Sequence, residues 1–136
     1  MSLLTILQHH SARRWLRYSW LAALLSTAVV SLLPASRLVN LQGSDKVWHG
    51  GWYMLLALPV CFIFPPTRQS LTATGALAIY GALIEAAQML VPGRSCEWGD
   101  MLANSTGAAF GFLLSRIALR IATSGPSAGL TATRRP

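Results

Sequence analysis

Asp45 and His49 stand four residues apart, Glu85 and Gln88 three apart, and Asp100 and Asn104 four apart. On a helix each of these pairs shares one face. Three helices could therefore bring a histidine, three carboxylates and two amides to a single place. Histidine titrates near neutrality, so His49 suits general acid or base work, with Asp45 or Glu85 orienting its ring. Glu85 could itself act as the base. Arg94 and Lys46 add positive charge, and the planar fork of Arg94 matches a phosphate head group. The catalytic candidates are thus His49, Glu85, Asp45 and Asp100, and the substrate-binding candidates are Arg94, Gln88, Asn104 and Lys46. Asp45, His49, Glu85 and Asp100 also resemble a divalent-metal donor set. No short chelating motif enforces that variant, so no metal and no cofactor are expected. Neither a serine elbow nor a cysteine–histidine pair supports acyl-enzyme chemistry.

Each residue also has a plainer role. Asp45 reads as a helix cap, His49 as an interfacial histidine and Glu97 as a solvated loop charge. Gln88 and Asn104 could be interhelical hydrogen-bond glue, at about 0.6 kcal/mol each. Asp45, His49, Glu85, Gln88, Arg94, Asp100 and Asn104 together exceed what glue requires, which favours a functional pocket.

The elements that must position these groups are apolar. The chain has 136 residues, 53% hydrophobic and 11% charged, against about 25% charged in ordinary soluble domains. One soluble core of this size could not hide that much apolar surface, so the expected fold is an all-α integral membrane protein, a four-helix transmembrane up-down bundle. The spans are expected at 15–33, 47–64, 71–91 and 100–121. Pro34, Pro65-Pro66 and Pro92-Gly93 close the first three, and Ser44 and Asp45 open the second. Residues 1–14 form a short cytoplasmic segment, 15–121 the transmembrane domain and 122–136 a disordered cytoplasmic tail. The first run is long for a signal peptide and lacks a clean cleavage site. No run alternates as barrel strands would.

An even number of spans puts both termini on one side. That side carries Arg13, Arg14, Arg17, Arg68, Arg116, Arg120, Arg134 and Arg135, and the other only Arg37, Lys46 and Arg94. Positive-inside logic makes the first side cytoplasmic, in a bacterial inner membrane. All four acidic residues, Asp45, Glu85, Glu97 and Asp100, then fall in the outer half. At 1.5 Å per residue, His49 and Asn104 lie about 6 Å below the outer turns and Glu85 about 10 Å. A charge there facing lipid would cost about 2.5–3.5 kcal/mol, so Glu85 is expected to face the bundle. Gly107 and Gly111 share the Asn104 face and allow close backbone approach.

The net charge of +7 does not indicate nucleic-acid binding, because the basic residues sit in loops and tails with no aromatic interleaving. Trp15, Trp20, Trp48, Trp52 and Trp98 stand near run ends as interface belts. Cys61 and Cys96 fall at opposite ends of the bundle and are expected to be unpaired.

The strings SDKVWHGGWY (44–53) and LIEAAQMLVPGRSCEWGDMLANSTGAAFG (83–111) together resemble the VanZ-like family of small bacterial membrane proteins. They supply Asp45, Lys46, His49, Glu85, Gln88, Pro92, Gly93, Arg94, Asp100, Asn104 and Gly107 in order. Gly50, Gly51, Cys96 and Glu97 depart from the usual pattern. The resemblance implies a four- or five-helix membrane protein and an association with resistance to the glycopeptide teicoplanin, without a settled reaction. The expected partner is a membrane lipid or lipid-linked envelope precursor, held or altered in an outer-leaflet polar pocket; a homo-oligomer is possible. The alternative is a non-enzymatic binder of an envelope lipid or amphiphilic antibiotic. A proton-linked transporter is a third reading, although no inverted repeat shows.

Overall fold

The computed structural model describes residues 10–34 and 45–124, and every regular element in them is helical. The elements are α1 (His10–Ser31), α2 (Asp45–Ala57), α3 (Val60–Ile63), α4 (Thr67–Gln88) and α5 (Trp98–Thr123). Expectations placed on Arg37, on Ser44 and on the tail beyond Ser124 lie outside the described residues.

Three helices are longer than the apolar runs suggest. α1 already includes His10, α4 starts at Thr67 directly after Pro66, and α5 starts at Trp98 and runs to Thr123. Polar first and last turns are cheap for a helix, because its terminal N–H and C=O groups are unpaired within the helix in any case. α4 stops at Gln88, three residues before the expected end at Val91.

The second run is not one continuous helix. Pro59 has no N–H to donate and its ring crowds the preceding turn. The helix therefore ends at Ala57 and restarts as the short α3 at Val60.

α2 and α5 make the closest pairing, and they run parallel. Gly50 lies against Gly107, and Met54 and Ala57 lie against Gly111. A Cβ on Gly107 would collide with the Gly50 carbonyl, and one on Gly111 with the Met54 carbonyl and, at 2.8 Å, the Ala57 methyl. The glycine pair anticipated on the Asn104 face thus sets the approach. Gly50, a departure from the usual family pattern, supplies the opposing surface. α4 packs antiparallel against both helices through Gly81, whose added Cβ would meet the Tyr53 ring at 2.9 Å and the Asn104 Cβ at 3.1 Å. The core between them is formed by Tyr53, Leu56, Ala57, Leu77 and Ala108.

α1 joins differently, through side chains that donate to carbonyls. Helix ends leave C=O groups unpaired, and several of these bonds use them. Trp20 Nε1 donates to Leu56 O at 2.7 Å, Arg17 to Ile63 O at 3.3 Å, and Gln88 Nε2 to Ser31 O at 3.0 Å. Tyr80 OH donates to Leu24 O at 2.6 Å, and Trp52 Nε1 to the Thr27 hydroxyl at 2.8 Å. Trp20 and Trp52 are therefore interhelical links, beyond the belt role expected of them. Cys61 and Cys96 are both free.

Leu21, Leu25, Val29, Ile79, Leu83, Phe110, Leu113, Ile117 and Ile121 all face outward. Among the described residues, α4 is the one helix long and apolar enough to cross a membrane. α2 is shortened by the Pro59 break, while α1 and α5 carry arginines near one end.

Candidate functional site

The parallel pairing of α2 with α5, and the antiparallel fit of α4, bring the last turns of α4 beside the first turns of the other two. His49 stands at the meeting point. Its Nδ1 lies 3.2 Å from Asn104 Oδ1 and 3.4 Å from Glu85 Oε1. Its Nε2 lies 3.6 Å from Asp45 Oδ1, one turn back on the same helix. An amide oxygen only accepts, so the contact with Asn104 is made by a ring that carries a proton on Nδ1.

Burial is uneven across the cluster. Glu85 is completely enclosed, Asn104 and Gln88 are buried, and Asp100 is nearly so. Asp45 is exposed. Among the described residues, neither Glu85 oxygen has a hydrogen-bond partner, and the same holds for Asp100 Oδ1, Asn104 Nδ2 and Tyr53 OH. Buried polar atoms are ordinarily paired; with only Arg13 Nε and Ser115 Oγ unpaired elsewhere among the described residues, this concentration makes the cluster the candidate site.

Lys46 covers the cluster from α2. Its ammonium lies 3.0 Å from Glu97 and 3.6 Å from Asp100, and its stem runs over Gly99, where a Cβ would collide with it. The hydrogen bond to Glu97, then the charges of Asp100 and Glu97, hold the Lys46 pKa above the ordinary lysine value. Glu97 is exposed, as expected of a loop charge, but paired.

Arg94 follows Gly93, whose φ of 76° is the left-handed conformation that glycine adopts at little cost. The turn closes with the Arg94 N–H on Val91 O at 3.1 Å. Arg94 Nη2 points to Ser31 O at 3.4 Å, the carbonyl that also accepts from Gln88. These two expected binding residues therefore fasten the end of α1 and sit beside the carboxylate–histidine centre.

A groove of about 430 Å³ opens between α1 and α2. Val30, Trp48, Trp52 and Tyr53 form apolar walls, Ser26, Thr27 and Ser31 contribute hydroxyls, and Asp45 and His49 stand at its polar end. The contribution of α1 was not visible in the sequence. Its signal was that Ser26, Thr27 and Ser31 interrupt the otherwise apolar stretch 20–33.

An all-α chain with a buried acid–histidine cluster beside an apolar groove is the class that fold and site define. Residues 4–119 match the VanZ/LLP1 family, and the chain belongs to that family. No match to the chain is found among curated proteins or among solved structures.

Proposed function

We propose that this VanZ-family protein is a multi-pass protein of the bacterial inner membrane with both termini cytoplasmic, and that it takes an envelope lipid or lipid-linked precursor at the outer leaflet. The groove carries the reading: its apolar walls suit an acyl or prenyl chain, and its Asp45–His49 end suits a polar head group. Arg94 and Lys46 stand nearby to attract an anionic head group. Outward-facing Leu, Ile, Val and Phe on α1, α4 and α5 form more apolar surface than a water-soluble monomer tolerates.

His49 is the residue on which action, as opposed to binding, depends. With Nδ1 set against Asn104 Oδ1 and beside Glu85, the ring turns its Nε2 edge, next to Asp45, toward the groove's polar end. A purely binding role, for a lipid or an amphiphilic glycopeptide, uses the same groove without that exchange.

The test is mass spectrometry of lipids retained by the purified protein, paired with lipidomics and teicoplanin susceptibility of cells with and without it. A retained lipid class lost on Trp52→Ala is the expected result. An altered envelope that requires His49 favours action, and retention with an unaltered envelope favours binding. Protein that retains no lipid, in cells of unchanged composition and susceptibility, ends the proposal.

A further inference from the structure

We propose that Asp45, His49 and Asp100 bind a divalent cation at the polar end of the groove. One donor atom from each of the three lies within 4.8 Å of the other two. Donors bound at about 2.1 Å in tetrahedral geometry stand about 3.4 Å apart. Closing the site therefore asks for side-chain movement of up to about 1.4 Å, and Asp45, the exposed member of the three, has the most freedom to move.

Three further observations support a cation there. His49 Nε2 and Asp45 Oδ1 stand 3.6 Å apart, one turn apart on α2, close enough to share one ion. Next, Glu85 lies outside the three-residue donor set, is completely enclosed, and places Oε1 3.4 Å from His49 Nδ1 with no hydrogen-bond partner among the described residues. A histidine that ligates a metal typically presents its other ring N–H to a carboxylate or carbonyl, which fixes the ring and raises its basicity. Glu85 and Asn104 occupy that position. Finally, Asp100 Oδ1 is buried without a hydrogen-bond partner among the described residues, and its nearest cation, Lys46, stands off at 3.6 Å.

One imidazole and two carboxylates form a borderline donor set that suits Zn²⁺ or Mn²⁺. Two carboxylates also balance the charge of a divalent ion. Asp45 and His49 line the groove, so the remaining coordination positions face its interior. The proposal does not depend on which lipid, if any, the groove holds.

The test uses the full chain in detergent with any affinity tag removed, titrated with Zn²⁺ by calorimetry and with Mn²⁺ by electron paramagnetic resonance. One equivalent per chain, bound at micromolar concentration or tighter, is expected. Asp45→Asn, at an exposed position that leaves folding intact, should weaken binding at least tenfold, as should His49→Ala. Lys46→Gln removes the competing ammonium and should tighten binding, a gain that no purely structural role of Lys46 predicts. Absence of binding at millimolar ion overturns the proposal. So does binding that Asp45→Asn and His49→Ala leave unchanged. Lipid retention measured on the same samples keeps the groove's occupancy separate from the ion's.

Discussion

At one end of the bundle Glu85 and Asn104 are buried within hydrogen-bonding or ion-pairing reach of His49, and Asp100 is buried close by. At the other end, Arg13, Arg14 and Arg17 line an open depression of about 770 Å³ together with His10 and Ser11. There the links are few. Arg17 reaches Ile63 O at 3.3 Å and stacks over the Phe64 ring at 5.9 Å, while Trp20 meets Phe64 edge to face. Acidic groups have been drawn into the packed end and basic groups left at the open one. Long arginine side chains can lay their stems along apolar helix and keep the charge in water or among head groups. A short carboxylate cannot, so one set in an apolar stretch must turn into the bundle, as Glu85 does. Enclosure is feasible because Gly50, Gly81, Gly107 and Gly111 let three backbones approach closely.

The largest expected effect tests that closeness. Gly107→Leu should abolish recovery of monodisperse protein in gel filtration, because the side chain has to displace the Gly50 backbone. Gly75→Leu on α4, where an added Cβ meets nothing within 4 Å, should be recovered normally. Equal behaviour of the two would break the comparison.

Next in size is the cluster itself. Glu85→Ala removes the enclosed carboxylate beside His49 and should lower lipid retention at least tenfold. Arg17→Ala at the open end should cost about 1 kcal/mol and leave retention unchanged. If both variants change retention equally, the groove is not a separate site.

Two tryptophans sharpen the contrast at smaller scale. Trp20→Phe and Trp52→Phe each delete one hydrogen bond from α1 contacts, at about 1 kcal/mol each in thermal or denaturant unfolding. Trp52 alone lines the groove, so only its replacement should shift retention. The smallest effect is expected at Glu97→Gln. Its bond to Lys46 is exposed, and such pairs contribute about 0.2–1 kcal/mol.

Much of the site was legible before any coordinates. His49, Glu85 and Asn104 sit on helix faces that periodicity alone defines, and a carboxylate flanked by apolar residues must find partners. Their convergence follows from those two constraints. Gly107 and Gly111 were also readable, since small residues one turn apart imply close approach. The break at Pro59 is masked in the sequence by the apolar residues on either side of it. The place of Arg94 was not legible, because a loop side chain has many targets within reach, and the carbonyl at the end of α1 carries no mark in the sequence.

By itself the sequence determined the helical class, the segregation of acids from arginines and the identity of the polar faces, because these depend on residue type and helical period. Only the tertiary structure decided that α2 and α5, separated along the chain by α3 and α4, make the closest pair. It also decided that α1 forms one wall of the groove and that Gln88 and Arg94 anchor that wall. Those outcomes depend on which surfaces can approach, and that is settled by the fit of several helices at once, which no single stretch of chain encodes.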